Sequence, residues 1–151
     1  MPMDEPTIRP MTLADIEAVM EVETATYASP WQRHIFYQEI AQNFHAHYFV
    51  LELGGLVIGY AGMWVVMDDA QITNIAILPA YRGRKFGDRL FRFLLGKAIM
   101  LGAEHLSLEV RVSNHIAQRM YRKFGLVKGG IRKNYYTDNQ EDAMVMWVTL
   151  K

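Results

Sequence analysis

The sequence contains no cysteine. That excludes disulfides, thiolate metal sites and a cysteine nucleophile, and it suits a reducing compartment. It also lacks net charge of one sign: 16 Lys and Arg balance 16 Asp and Glu. No global field for nucleic acid follows, and any site for a polyanion must be local. No apolar run reaches the ~18 residues of a membrane-spanning helix, and the acidic opening "MPMDEP" is not that of a signal peptide. Linkers, repeats and low-complexity segments are missing too. The expectation is a cytoplasmic protein of one domain over residues 1–151, with 51% hydrophobic residues to build its core. Neither direct nucleic-acid binding nor a membrane contact is expected, and the sequence assigns no oligomeric state.

The pattern predicts β-α-α-β-β-β-α-β-α-β-β. "TIRPM" reads as a short opening strand that Pro10 keeps near an edge. Thr12, with Asp15 three residues on, makes a capping box for a helix whose apolar stripe is Leu13, Ile16, Val19, Met20 and Val22. Pro30 breaks it, and a second helix follows over Gln32 to Ala41, burying Ile35, Phe36 and Ile40. Gly54-Gly55 joins two strands as a hairpin. A third strand, Gln71 to Leu78, starts after an Asp68-Asp69 turn and ends at Pro79. A long helix spans Phe86 to Met100, with Leu90, Leu94, Ala98 and Leu101 inward and Gly102 as its stop. "HLSLEVRV" alternates Leu106, Leu108, Val110 and Val112 against His105, Ser107, Glu109 and Arg111. A short helix from His115 to Phe124 stops at Gly125, and two strands close the chain. Antiparallel hairpins followed by helical crossovers give a mixed α/β sheet with a parallel neighbour. Trp64 and the ten methionines read as core fillers. His45 and His47, the only close histidine pair, read as flanking a strand start, and no metal site is expected.

The stretch "YRGRKFGDRL" sets Arg82, Arg84, Lys85 and Arg89 around Gly83 and Gly87, between a strand and a long helix. Backbone N–H groups at a helix start have no partner inside the helix, and the helix dipole adds positive potential there. Glycines let the backbone approach an anion closely. The loop therefore has three aligned reasons to bind phosphate. The plainer alternative is a solvated basic turn steadied by Asp88. No G-x-x-x-x-G-K-S/T and no G-x-G-x-x-G after the first strand is present, which argues against a P-loop and against a Rossmann cofactor.

"NIAILPAYRGRKFGDRLF" resembles the core motif of the GNAT superfamily of N-acetyltransferases, Q/R-x-x-G-x-G/A, with Arg82, Lys85 and Gly87 at its three named positions. Lys85 stands where a glycine is usual. "LEVRVSNHIAQRMYRKFGL" and "RKNYYTDNQEDAMVMWV" resemble the bacterial ribosomal-protein-alanine N-acetyltransferases within it. The resemblance runs from "TIRPMTLADI" to "MVMWV". It implies the GNAT fold: a mixed, mostly antiparallel sheet with a splayed parallel pair and helices on both faces. It implies that Arg82, Gly83, Arg84, Lys85, Phe86, Gly87 and Asp88 cradle the pyrophosphate of acetyl-CoA, that the backbone of Ile75, Ala76 and Ile77 bonds its pantetheine arm, and that Asn114 contacts that arm.

Acetyl transfer to an amine requires a neutral amine, a stabilised oxyanion and a proton for the leaving thiolate. A chain N-terminus has a pKa near ~8, so a base has a modest task. Glu109 is the base candidate by resemblance; otherwise it is one more solvent-facing residue beside Ser107 and Arg111. Tyr121 is the acid candidate by resemblance, while its spacing with Ile116, Met120 and Phe124 reads as a core face; a packed ring and a reactive hydroxyl are compatible. Asn114 is equally suited to capping the helix it precedes. The oxyanion donor is expected to be a backbone N–H of the Ile75–Ile77 strand. Tyr27, Trp31, Tyr135 and Tyr136 are candidates for walling the acceptor cleft, against plain core or rim packing, and Glu23 or Asp142 for receiving a cationic amino group, against plain solvation. The resemblance implies the N-terminal alanine of a small-subunit ribosomal protein as acceptor. Rivals are other N-termini, lysine side chains or a small amine. A non-catalytic acyl-CoA-binding module would need neither Glu109 nor Tyr121.

Overall fold

A computed structural model describes residues 5–150; the first four residues of the opening segment, and with them most of "MPMDEP", lie outside the described residues. The strands are β1 Thr7–Pro10, β2 Ala46–Leu53, β3 Leu56–Val66, β4 Asp69–Ile77, β5 His105–Arg111, β6 Val127–Arg132 and β7 Ala143–Thr149, and the helices α1 Ile16–Thr26, α2 Arg33–Gln42, α3 Phe86–Met100 and α4 His115–Lys123. The fold is mixed α/β, with a seven-stranded sheet ordered β1-β2-β3-β4-β5-β7-β6. Among the described residues its one parallel pair is β4–β5. The residues group into two compact units: one reaches through Trp64 and includes Thr73–Leu94, the other comprises Val65–Ile72 and the chain from Leu95 onward.

In the first unit, β1 lies at the sheet edge as Pro10 requires, pairing only with β2. The Asp15 carboxylate accepts the Thr12 N–H at 2.8 Å and the Thr12 hydroxyl at 3.1 Å, closing the expected box. Arg9 clamps the same carboxylate from β1 at 2.8 Å. Gly54 and Gly55 take φ of 59° and 82°, the left-handed pair that a two-residue hairpin needs. The core joins Ile16, Val19 and Val22 of α1 to Phe36 of α2 and to Tyr48, Val50 and Tyr60 of the sheet. Phe36 is fully buried, and its truncation to alanine would cost about 3–5 kcal/mol.

The second unit is organised around β5. Its inward residues Leu106, Leu108 and Val110 are buried, as alternation predicts. On one side β5 pairs with β7 along its whole length, His105↔Thr149 to Arg111↔Ala143. On the other, the parallel ladder with β4 covers only Asp69↔His105 to Gln71↔Ser107 and then stops, which is the splay of the pair.

Several boundaries and faces differ from expectation. β4 begins at Asp69, because the turn is made by Met67 (φ 57°) and Asp68. α2 is shifted one residue later, to Arg33–Gln42. Leu13 sits in a 3₁₀ turn before α1 and is exposed, out of phase with the helical stripe. Leu101 lies beyond the last turn of α3 and is exposed, while Phe91 and Ala103 are buried in its stead. Ile116 is 79% exposed; α4 buries Gln118 and Tyr121. Trp64 and the methionines are not uniformly core. Trp64 donates its indole N–H to Glu39 at 2.6 Å, and Met67 and Met100 are exposed. His45 and His47 flank the start of β2 as expected.

Candidate active site

The first unit holds the basic loop. Leu78 N–H bonds Ile58 C=O at 2.8 Å, and a 3₁₀ turn over Pro79–Tyr81 redirects the chain. Gly59 of β3 permits β4 to lie close: a Cβ there would sit 2.9 Å from the Ala76 carbonyl oxygen. Gly83 and Lys85 then adopt left-handed φ of 79° and 64°. As α3 begins, the Arg89 N–H bonds the Lys85 C=O at 3.1 Å. The amides of Gly83, Arg84, Lys85, Phe86 and Gly87 precede it, and among the described residues they donate to no backbone acceptor. N–H groups without backbone partners at a helix start are the kind of arrangement that can hold an anion. Lys85 keeps the backbone shape a glycine would have at its position, at a steric cost, and adds an exposed cation.

The loop's cations divide by role. Arg84 lies over the rings of Tyr81 and Phe86, 5.8 and 5.1 Å from their centroids, so its side chain is steered by aromatic faces. Arg82 folds back: its Nε donates to the Ile77 carbonyl at 2.9 Å and its Nη2 to the Thr26 hydroxyl at 3.3 Å. It braces the end of β4. Asp88 stands in the first turn of α3. On β4, the Ile75 carbonyl accepts the Tyr27 hydroxyl at 3.0 Å; Ala76 and Ile77 are buried.

Sequence reasoning underread the residues around α1. Glu23 is buried and accepts the Trp31 N–H at 2.8 Å and the Tyr60 hydroxyl. Asn74 Nδ2 donates to Tyr60 at 3.1 Å, and the Asn74 Oδ1 is buried without a partner. Burial pushes the Glu23 carboxyl up, and the Trp31 and Tyr60 donors pull the other way. It is not a solvated carboxylate. Trp31 packs on Phe36 and Tyr48, with centroids 5.3 and 6.5 Å apart. A charged residue inside a helical stripe was the only sequence signal for this network.

The second unit holds the acid–base candidates. Glu109 is flanked by Gln71, whose Nε2 lies 3.5 Å from Oε1, and by Arg132, whose Nε lies 3.5 Å from Oε2; its side chain is 13% exposed. It is thus sheltered, unlike the solvent-facing alternative. Tyr121 is buried in α4, as its core spacing predicts. Asn114 caps α4, its Oδ1 accepting Ala117 N–H at 3.1 Å. Gln118, which the sequence reading missed, is buried and donates to the carbonyls of Arg111 and Val112 at 2.9 and 3.0 Å, tying α4 to the end of β5.

Tyr135 is exposed beside the same carboxylate. Burial and then the Glu109 charge raise its phenol, with Arg132 opposing. Tyr136 is pushed up to about 12, chiefly by burial. Asp142 closes its own loop: Oδ1 accepts Asn134 N–H at 2.9 Å, and its carbonyl accepts Val112 N–H at 3.2 Å. Among the described residues, the only group of three metal-ligating side chains is Asp68, Glu104 and His105, all exposed, and it contains no candidate acid or base. No described helix is long and apolar enough to cross a membrane.

Residues 16–126 match the model of the acetyltransferase (GNAT) family. The chain belongs to that family. A Bacillus subtilis protein assigned as a ribosomal protein bS18-alanine N-acetyltransferase is 56% identical over 143 residues, 95% of each chain. The Escherichia coli enzyme named for the same activity is 35% identical over 144 residues, 93% of this chain and 95% of its own. The crystal structure of the E. coli ribosomal-protein-alanine N-acetyltransferase superposes with a TM-score of 0.90 at 32% identity, covering 97% of this chain and 95% of that one. A Salmonella typhimurium structure named as that of an acetyltransferase with its cofactor acetyl-CoA matches at TM-score 0.79 and 20% identity, covering 97% and 94%, a likeness of fold.

Proposed function

We propose that this GNAT protein transfers the acetyl group of acetyl-CoA to the α-amino group of an N-terminal alanine on a small-subunit ribosomal protein. The observation that carries the reading is the 56% identity over 95% of both chains to the B. subtilis protein of that assignment. Residues 1–151 act as one catalytic domain, and a ribosomal substrate makes the cytoplasm the place of work.

The amides from Gly83 to Gly87, with Arg84 and Lys85, take the pyrophosphate; Asp88 steadies the first turn of α3 and Arg82 the strand end. Backbone groups of Ile75, Ala76 and Ile77 take the pantetheine arm, with Asn114 as a further contact, and a backbone N–H there stabilises the oxyanion. Glu109 removes a proton from the acceptor amine. The nitrogen attacks the thioester carbonyl, a C–N bond forms, and the C–S bond breaks. The Tyr121 hydroxyl protonates the departing thiolate. With no cysteine in the chain, both substrates bind together and no cysteine relay forms. Tyr135 lines the acceptor side, with Tyr27 and Trp31 as wall residues of α1 and its following turn.

The test is incubation with acetyl-CoA and peptides beginning with Ala, Ser or Met, plus an internal-lysine peptide and a polyamine, with mass spectrometry to locate the acetyl group. Transfer to the Ala peptide's α-amine is expected. Transfer only to lysine or polyamine would replace the acceptor, and acetyl-CoA binding without transfer to any amine would reduce the protein to a binding module.

A further inference from the structure

The connection between β6 and β7, residues 133–142, is long and polar, and a loop of that composition has little apolar surface to hold it. Beside the bonds that Asp142 and Glu141 accept from backbone N–H groups, one side chain, Arg111, gathers several of its residues. Arg111 Nη2 meets both Asp138 carboxylate oxygens at 3.0 and 2.9 Å. Its Nη1 donates to Asn139 Oδ1 at 3.1 Å and to Glu141 Oε1 at 3.0 Å. Its guanidinium lies 4.0 Å from the centroid of the Tyr136 ring. The other Glu141 oxygen takes the Ser113 N–H at 2.8 Å. Inside the loop, Tyr136 N–H bonds Glu141 C=O at 3.1 Å and Gln140 N–H bonds Tyr136 C=O at 2.8 Å.

These contacts form a circuit. Tyr136 meets Tyr135 edge to face at 5.1 Å. Tyr135 carries the Arg132 guanidinium over its ring at 5.7 Å. Arg132 faces Glu109, which projects from the same face of β5 as Arg111. The planar fork and the aromatic stack are both arginine properties that a lysine does not reproduce.

We propose that Arg111 is a positioning residue for the acceptor: by clamping Asp138, Asn139, Glu141 and Tyr136 it seats the Tyr135–Tyr136 pair beside Glu109, and so sets affinity and first-residue preference for the incoming N-terminus. It touches neither the thioester nor the amine. The inference rests on the peptide-acceptor reading above, and deepens it.

The experiment compares wild type, Arg111→Ala, Arg111→Lys and Tyr136→Leu with acetyl-CoA and peptides beginning with Ala or Ser. Arg111→Ala should raise KM for the Ala peptide roughly 10- to 100-fold, the penalty expected of a misplaced substrate contact, with KM for acetyl-CoA within about twofold and a narrowed Ala-over-Ser preference. Arg111→Lys should recover only a minor part, and Tyr136→Leu should share the peptide KM defect. Unchanged peptide KM, or an equal rise in both KM values, overturns the inference while leaving the acetyltransferase reading intact. If wild type itself acetylates no peptide, that reading falls. Amide exchange of residues 133–142 then decides the clamp: faster exchange in Arg111→Ala, with acetyl-CoA affinity kept, supports it, and unchanged exchange overturns it. Should Arg111→Ala fail to fold, Tyr136→Leu and Asp138→Asn carry the same measurements.

Discussion

Glu109 and Arg111 project from one face of β5 and are held from opposite ends of the β6–β7 connection. Arg132, at the end of β6, lies 3.5 Å from the Glu109 carboxylate, while Asp138 and Glu141 hold Arg111 at 2.9 and 3.0 Å. The proposed general base and the loop beside it are thus built as one assembly.

Glu109→Gln keeps this shape and removes the proposed proton acceptor. Turnover should fall by about 10²-fold or more, most severely below pH ~8, where an α-amine is protonated. The loss should shrink toward pH 9–10, where the amine is neutral unaided. A pH–rate profile with a saturating peptide checks this; a uniform loss at all pH values would assign Glu109 to positioning only.

Tyr121 is buried, so Tyr121→Phe preserves its packing and deletes only the hydroxyl. Expected are a kcat at least about tenfold lower, as for loss of a general acid, and an unchanged dissociation constant for acetyl-CoA. Full kcat in this variant would restrict Tyr121 to the core.

Lys85 occupies left-handed backbone space with φ 64°, which costs a non-glycine residue about 1–2 kcal/mol. Lys85→Gly should raise stability, by up to about 1 kcal/mol once the greater freedom of glycine in the unfolded chain is counted, and should weaken acetyl-CoA binding through lost charge. Lys85→Ala should weaken binding without the stability gain. Denaturant melts and coenzyme titrations separate the two effects.

Glu23 accepts from the Trp31 amide and the Tyr60 hydroxyl. Glu23→Leu leaves both donors unpaired at about 1–3 kcal/mol each, so a large loss in chemical denaturation is expected. Its carboxyl is raised by burial. For an acid whose folded value is raised, the neutral form favours folding, so this contribution to stability declines as pH rises from the unfolded value near ~4.3 toward the folded one. Glu23→Gln, which does not ionise, should remove that decline.

Asp15 and Glu141 are both shifted downward, opposite to Glu23. Arg9 holds Asp15 down at about 2, and the Ser113 hydrogen bonds, then Arg111, hold Glu141 at about 2. Lowered carboxyls stabilise the fold above their unfolded values near ~4, and that stability is lost as pH falls toward 2. Acid unfolding of wild type should therefore steepen between pH 4 and 2, and Asp15→Asn and Glu141→Gln should each flatten it.

The sequence by itself determined the elements, their order and the place of the basic loop. Period-2 alternation over His105–Arg111 and the 3.6-residue spacing of Leu90, Leu94 and Ala98 are local signals, read without knowing any neighbour. Glu109, Tyr121 and Asn114 were legible as candidates only through the family resemblance; residue type and spacing alone left a solvent-facing glutamate, a core tyrosine and a helix cap. What tertiary structure alone decided is which polar residues are engaged. Arg111 looked solvent-facing, since its partners lie 27 to 30 residues later in a loop without periodicity. Glu23 and Gln118 were hidden because burial of a polar side chain depends on a partner brought from another element, and helical spacing does not reveal that. The backbone of "YRGRKFGDRL" was decided the same way. Its charges were visible in the sequence, but the left-handed turn at Lys85 and the inward fold of Arg82 onto Ile77 came from where β4 ends and α3 begins.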